Sequence, residues 1–468
     1  MANTIPMLDL MFFLTETQDN PRHVGSVLIF QKPKRGGDRI TREIVEAYRR
    51  AKPVAPFNRV PVFKAVGLPE WREVDSIDPS HHVLHLALPA PGSNEQLHEL
   101  IADLHAPMFE RHRPGWKMYV IDGLAGDRFA IYHKVHHSLV DGESGMEILR
   151  RSLASSPRDR RIRTTVGLPH KHRARPAPAG LRAALEREAR AAAKRTLSVG
   201  RGGLRVVEQV IEGLRGFSPR EARAFTAPQT PMNEPIYNAR SITHTVLPLA
   251  RMKAVARAWD ATLNDVALTI LDAGVNRYLA GRGRAPAHPL VALCPVSLHD
   301  PKVKEATTNV SAVFPPLGAV DARIDVRLQQ VSANMRTAKD ELRNLGKAAA
   351  YAYAVLAFAI TETLVIAHPE RLGLPLFGSN VLVSNVRGPE ETLYLSGAKL
   401  EAFFPVSTLI VGIGLNVTFM SYDGQVILGF TANGSALPEV ESLARHTQEA
   451  FAALDEATAK RRARSRRR

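Results

Sequence analysis

Residues Arg128–Gly142 read RFAIYHKVHHSLVDG, and the fold class turns on this stretch. Its first nine residues, Arg128–His136, are rich in aromatic and β-branched side chains, as a strand requires. The run leads straight into His136-His137-Ser138-Leu139-Val140-Asp141-Gly142. Behind that motif Met146, Leu149 and Leu153 recur three and four apart, the spacing of one helix face. Ser144 and Glu147 offer a capping box for the start of that helix. Upstream, a Gly/Asp turn at 123–127 separates the strand from a second β-like run, Lys117–Ile121. Residues 94–110 read as a helix with Leu97, Leu100, Ile101 and Leu104 on one side, and 22–31 as a strand carrying Val24, Val27 and Ile29.

The chemistry suggested by HHSLVDG is acyl transfer to a hydroxyl or amine. A hydroxyl is a poor nucleophile until a base takes its proton, and an imidazole with an ordinary pKa near 6.5 suits that task at neutral pH. His137 stands at the HxxxD spacing and is the expected base, and Asp141 fixes local geometry or pairs ionically. Gly142 frees the turn, and His136 faces the other side of the strand and shapes the site. The same residues also fit two ordinary histidines at a strand end with Asp141 capping the helix. His133 and His137 lie four apart, as do His81 and His85, but no third ligand and no HExxH accompany them, so no metal is expected. The chain has no phosphate-loop motif, no GxGxxG opening a helix and no GxSxG elbow. Those absences set aside NTP hydrolysis, dinucleotide redox chemistry and serine hydrolysis.

With 468 residues, 45% of them hydrophobic, the chain is long enough for two domains of roughly 200 residues. One cysteine, Cys294, excludes an internal disulfide framework and a Cys-rich zinc site, and a reducing compartment fits. The net charge of +16 is concentrated. Residues 151–226 hold 18 Lys/Arg against 6 Asp/Glu, and residues 457–468 hold 7 Lys/Arg and no acid, so the remainder is near neutral. Such appended basic segments suit an anionic membrane surface or nucleic acid equally, and equally a solvated face. With 6% aromatics and a near-neutral bulk, an interleaved nucleic-acid surface is not expected. The opening residues lack a basic n-region and are interrupted by Asp9, which argues against a secretory signal. Ala348–Ala367 is the best candidate span, but it is Ala-rich and contains Thr361, Glu362 and Thr363, so a buried or membrane-facing helix is the better reading. The expected location is cytoplasmic, with peripheral attachment at the inner face of the plasma membrane or at a lipid-droplet surface as an option.

The second half repeats the mixed texture. Strands are expected at ITHTVLPL, PLVALCPVSL, SNVLVSNVRGP, STLIVGIGLNVTFMSYDG and QVILGFTANGS, with helices near 250–282 and 437–456. The division is therefore 1–155, a basic Ala/Arg/Pro-rich connection with a helix at 156–225, a second domain at 226–456, and a basic tail at 457–468.

Together these blocks resemble the bacterial wax ester synthase/diacylglycerol acyltransferase family, which includes mycobacterial triacylglycerol synthases. The resemblance runs in order through NPRHVG and VLIF, residues 71–93, RPGWKMYVIDGL, HHSLVDG, APQTPMNEPI, LNDVALTIL, PVSL, NVRGP and the block from Phe404 to Gly424. It implies a mixed αβ fold of two chloramphenicol acetyltransferase-like domains joined by a linker, with the histidine where they meet. It also implies acyl-CoA as donor substrate without a further cofactor, and diacylglycerol or a long-chain alcohol as acceptor. Gly115 stands where the family has Leu, and His299 where an Arg usually follows PVSL. Asn264, whose amide can donate, is a candidate oxyanion or substrate contact, and equally part of a helix start. Ser384 and Asn385 are weaker candidates, with turn formation before Gly388-Pro389 as their alternative. The same HHxxxDG occurs in condensation domains that use carrier-bound thioesters, and a non-catalytic lipid-surface protein of this fold is a third reading.

Overall fold

Runs of aromatic and β-branched residues pair into two six-stranded sheets, the first of them drawing strands from both halves of the chain. The computed structural model describes residues 4–64, 69–140, 142–168, 227–297, 310–344 and 378–465. The first half runs α1 (Met7–Thr15), β1 (His23–Gln31), α2 (Gly37–Arg50), a small ribbon of β2 (Arg59–Val62) and β3 (Glu70–Glu73), α3 (Pro79–His82), β4 (Val83–Ala87), α4 (Asn94–His105), β5 (Trp116–Leu124), β6 (Arg128–His136) and α5 (Gly142–Ser152). The second runs β7 (Arg240–Pro248), α6 (Leu249–Ala258), α7 (Leu263–Ala280), β8 (Ala292–Ser297), β9 (Val310–Val313), α8 (Ile324–Asn344), β10 (Val381–Arg387), β11 (Tyr394–Leu395), β12 (Ala398–Val406), β13 (Leu415–Tyr422), β14 (Gln425–Asn433) and α9 (Val440–Ser465).

The first sheet has the order β11-β12-β1-β6-β5-β4 and the second β7-β14-β13-β10-β8-β9. Strands β11 and β12 thus leave the second half and complete the first sheet. β12 runs antiparallel to β1, from Gly25 opposite Val406 to Gln31 opposite Lys399. The stretch assigned by sequence to 226–456 therefore contributes to both sheets. Phe403, Phe404 and Val406 of β12 are buried in the same cluster as Leu28, Phe30 and Phe129. A second cluster packs α7 and α9 against β13 and β14. Burial of α7 from Asp265 to Leu279 on nearly every side explains why its sequence shows little polar face.

Helix ends follow local chemistry. α4 opens on a complete capping box, Ser93 with Gln96, and stops at His105 rather than running to 110. Ala106 still has helical angles, but Pro107 has no N–H to donate and its ring crowds the carbonyl four residues back, so the apolar pattern outlasts the helix. α5 begins at Gly142, so Ser144 and Glu147 lie inside it rather than ahead of it. α9 continues to Ser465, which makes most of the basic stretch after 456 helical. Among the described residues no helix is long and apolar enough to cross a membrane. Ala348–Ala367, His299 and most of the basic connection lie outside the described residues.

Candidate active site

Successive residues of a strand face opposite ways, and the consecutive histidines inherit that geometry. His133, Val135 and His137 line one cavity, whereas Lys134 and His136 turn to the other face. Both histidines are held by the main chain. His136 N–H donates to the Gly115 carbonyl at 2.7 Å, and His137 N–H donates to the Arg22 carbonyl at 2.9 Å. The chain then turns, with Leu139 N–H donating to the His136 carbonyl at 2.9 Å.

Two consecutive phenylalanines of α1 cover the two rings. Phe12 stacks on His137 with centroids 4.4 Å apart, and Phe13 stacks on His136 at 4.3 Å. Such contacts hold a ring in one plane, each contributing about 0.5–1.5 kcal/mol beyond area burial. His136 is also fixed by hydrogen bonds. Its Nδ1 accepts from Ser138 N–H at 3.3 Å and lies 2.6 Å from the Ser138 hydroxyl. That leaves Nε2 to carry the proton and donate to Glu16 Oε2 at 3.3 Å. Arg111 closes the arrangement on the other Glu16 oxygen at 3.0 Å. Gly115 allows this close packing, since a Cβ there would stand 2.9 Å from the His136 Cβ.

The cavity beside His137 has a volume of about 320 Å³, the size of a small-ligand site. Rows of cross-strand neighbours on the first sheet form one wall. The row Trp116–Val135–Val24 comes first after His137, and the row Met118–His133–Ser26–Pro405 next. α5 adds Gly142, Met146 and Leu149. The second sheet adds Ser384 opposite Thr418 and Val386 opposite Met420, with Ser407 nearby. Ser407 and Thr418 hydroxyls are 3.0 Å apart. The cavity is therefore built by both halves of the chain and is mainly apolar, with hydroxyls on one side.

On the opposite face of the sheet from His137 lies a buried basic group. Lys134 Nζ donates to the Leu104 and Pro107 carbonyls at 2.9 and 2.5 Å. Burial, with Lys117 adding repulsion, pushes its ammonium down to about 7. His105 Nδ1 meets the Tyr132 hydroxyl at 2.6 Å, and His23 Nε2 meets the His105 carbonyl. Burial holds both imidazoles well below their ordinary range.

Of the residues singled out by sequence, the structure gathers His137, Gly142 and Ser384 around one cavity. His136 backs the site through Glu16 and Ser138, and Asp141 lies outside the described residues. Asn385 points away from the cavity and is exposed. Asn264 sits in the first turn of α7, where Thr262 and Asp265 make the capping box, and does not line the cavity. His133 and His137 are four strand residues apart, about 13 Å at roughly 3.3 Å per residue. That is too far for one ion bound at about 2 Å from each nitrogen. His85 is engaged instead with Asp122 at 2.8 Å. Among the described residues no group of three His, Cys, Asp or Glu is placed to hold a metal. Sequence reading missed Phe12, Phe13 and Glu16, whose signal is a largely apolar nine-residue helix, Met7–Thr15, with an acid just after it.

A family model described as the wax ester synthase/diacylglycerol acyltransferase catalytic domain matches residues 6–267, and one for the C-terminal domain of that family matches 307–455. The chain is 35% identical over 463 residues to Tgs4 of Mycobacterium tuberculosis, named a probable diacylglycerol O-acyltransferase, covering 96% of this chain and 95% of that protein. The wax ester synthase/diacylglycerol acyltransferase structure from Marinobacter aquaeolei VT8 superposes with a TM-score of 0.76 at 27% identity, covering 97% of this chain and all of that one. The first condensation domain of the calcium-dependent antibiotic synthetase shares the fold, with a TM-score of 0.53 and 15% identity over 98% of this chain and 96% of that one. The mixed αβ fold and the family resemblance read from the sequence both agree with these matches.

Proposed function

Because this chain belongs to the wax ester synthase/diacylglycerol acyltransferase family, we propose that it transfers a fatty acyl group from acyl-CoA to the hydroxyl of diacylglycerol, or of a long-chain alcohol. The observation that carries the mechanism is His137 at the edge of an apolar cavity lined by both sheets, its ring clamped by Phe12.

In this reading His137 takes the proton of the acceptor hydroxyl as its oxygen attacks the thioester carbonyl carbon. The tetrahedral intermediate collapses, the C–S bond breaks, and the CoA thiolate leaves and recovers the proton. The products are an ester and CoA thiol, and no covalent acyl-enzyme forms. Cys294 takes no part, since it is buried and burial pushes its thiol up to about 12. General-base action supplies about 10²–10⁴-fold, so positioning and oxyanion stabilisation must supply the remainder. The Ser384 hydroxyl is the candidate donor supported by its place on the cavity wall. Acceptor lipids reside in membranes, and the exposed Lys460, Arg461, Arg462 and Arg464 at the end of α9 support docking on an anionic lipid surface.

The test is CoA release from palmitoyl-CoA, with diacylglycerol or hexadecanol as acceptor, for the wild type and His137→Ala. Acceptor-dependent thiol and ester that vanish in the variant are expected. Release that survives the substitution removes His137 as the base, and no release with either acceptor from folded protein turns attention to a carrier-bound donor.

A further inference from the structure

Along β6 the cavity beside His137 has a definite end. Counting back from His137 on one face of the strand, Val135 and His133 line it, and the next residue on that face, Ile131, does not. Ile131 packs in a row with Val120 and Leu28 of the neighbouring strands, all three at most 1% exposed and inside the core of the first sheet. A strap from outside the sheet covers this end. Thr165 and Val166, in the single 3₁₀ turn Thr165–Gly167, are buried and both line the cavity. Tyr48 of α2 fixes the turn in place. Its hydroxyl accepts from Thr165 N–H at 3.1 Å and lies 3.3 Å from the Thr165 hydroxyl, and its ring centroid is 6.2 Å from that of His133. Val54 N–H adds a bond to the Val166 carbonyl at 3.0 Å. The turn is thus attached beside His133 and not beside His137. Upstream the same strap is tied to β11, where Ala154 and Tyr394 exchange two main-chain bonds of 2.8 Å, and to Ser396, whose carbonyl accepts from Arg160 at 2.8 Å. A segment held at both ends resists displacement by a ligand.

We propose that the Thr165–Val166 turn is the floor of an alkyl-chain pocket and sets the chain length accepted there, with Tyr48 as the positioning residue that holds the floor. Trp116, Val135, Val24 and Met118 line the cavity on the first sheet, and the one indole N–H among them is committed to the Phe57 carbonyl at 2.8 Å. These side chains suit methylenes. From His137 to His133 the strand runs about 13 Å at roughly 3.3 Å per residue. An extended alkyl chain with bonds of about 1.5 Å covers that length in roughly ten to twelve bonds, so the chain that fits has about twelve carbons. Each methylene that finds room inside the pocket tightens binding about fourfold. A methylene beyond the floor must push the turn off Tyr48 and Val54, and its gain is lost. The chain is either the acyl group of the donor or the alkyl group of the acceptor. Its reacting end is placed by the acyltransferase reading, whereas the floor rests only on the cavity and the strap.

The experiment has a kinetic arm and a binding arm, both on the full chain. The first measures kcat/KM for saturated acyl-CoAs of increasing length with hexadecanol as acceptor, and for alkanols of increasing length with palmitoyl-CoA as donor. The second measures Kd for the same alkanols through tryptophan fluorescence, since Trp116 lines the cavity. In the wild type, one kinetic series is expected to peak near about twelve carbons and to fall about tenfold toward palmitoyl or hexadecyl length. Alkanol Kd is expected to tighten about fourfold per methylene up to that length and then to level off. Val166→Phe raises the floor and moves the peak and the plateau down by about two carbons, and Val166→Ala moves both up by about one. Tyr48→Phe removes both bonds to Thr165 and flattens the fall beyond the peak, which a loss of stability alone does not do. Positions and ratios within a series are read, so a general loss of activity cancels. Which series peaks identifies the chain involved. Turnover with no peak in either series, or a peak and plateau unmoved in both Val166 variants, overturns the floor. Absence of all turnover with a binding plateau that still shifts in the Val166 variants refutes the acyltransferase reading and not the floor.

Discussion

Replacing Phe12 by Leu removes the ring that lies flat on His137 while keeping the site apolar and nearly filled. The two ring planes are 15° apart with centroids at 4.4 Å, so the stack restrains rotation of the imidazole about its own side-chain bonds. Losing about 0.5–1.5 kcal/mol of aromatic contact lowers the share of His137 in its reactive orientation by roughly two- to tenfold, at about 1.4 kcal/mol per factor of ten. The loss should appear in kcat for CoA release with hexadecanol, with KM for palmitoyl-CoA little changed. Phe13→Leu is the matched control. It removes an equivalent stack at 4.3 Å from His136, which Ser138 and Glu16 also hold, and which lies off the cavity. Its effect on kcat should be the smaller, although Phe13 also packs edge-on against Trp71 and costs stability. Equal kcat losses in the two variants, or a Phe12→Leu enzyme with unchanged kcat and a lowered Tm, would refute the idea that α1 orients the base.

Other outcomes follow from the same geometry. Glu16→Gln takes the charge from between Arg111 and His136, and should lower unfolding free energy by about 1–3 kcal/mol in urea titrations; no change in the midpoint would count against the contact. Arg327→Met strands Asp272, which is fully buried in the second half and otherwise ion-paired, and should cost about 3–5 kcal/mol. The double variant Arg327→Met/Asp272→Leu should recover most of that loss, and failure to do so would mean that Arg327 acts by packing. His98 and His244 meet at 2.8 Å where α4 packs on β7, and burial pushes them down to about 4 and about 3. Their folded values lie below the ordinary 6.5, so the stability tied to their neutral forms is present above pH 6.5. It is lost as pH falls toward 4 and then 3, by about 1.4 kcal/mol per pH unit for each ring. A His98→Gln/His244→Gln protein should therefore show a flatter decline of Tm with acid, and an identical decline would dismiss the pair as a contributor. Substituting Gln for Lys460, Arg461, Arg462 and Arg464 should weaken sedimentation with phosphatidylserine vesicles, and equal binding would place the lipid contact elsewhere.

Local sequence determined a good deal of this protein. Alternation along Arg128–His136 specified a strand that sends His137 one way and His136 the other, and this holds wherever the strand is placed. Ser93 and Gln96 specified the start of α4, and the apolar run Val426–Phe430 specified β14 as a buried strand. The ordered motifs specified the family, since their series spans almost the whole chain. Tertiary structure decided what depends on contacts between residues distant in sequence. Nothing near Ala398–Val406 reveals that this strand pairs with His23–Gln31, because pairing across more than 350 residues is chosen by the burial of both faces and not by local propensity. The same holds for Phe12 and Phe13, which read as any apolar helix until the turn after β6 comes beneath them. The separation of Ser384 from Asn385 and Asn264 was decided likewise, because only the packing of two sheets determines which hydroxyls face the cavity and which amide remains at a helix end. His133 shows the limit most directly. Its four-residue spacing from His137 suggests a shared ligand, and the extended backbone between them instead separates the two by about 13 Å at roughly 3.3 Å per residue.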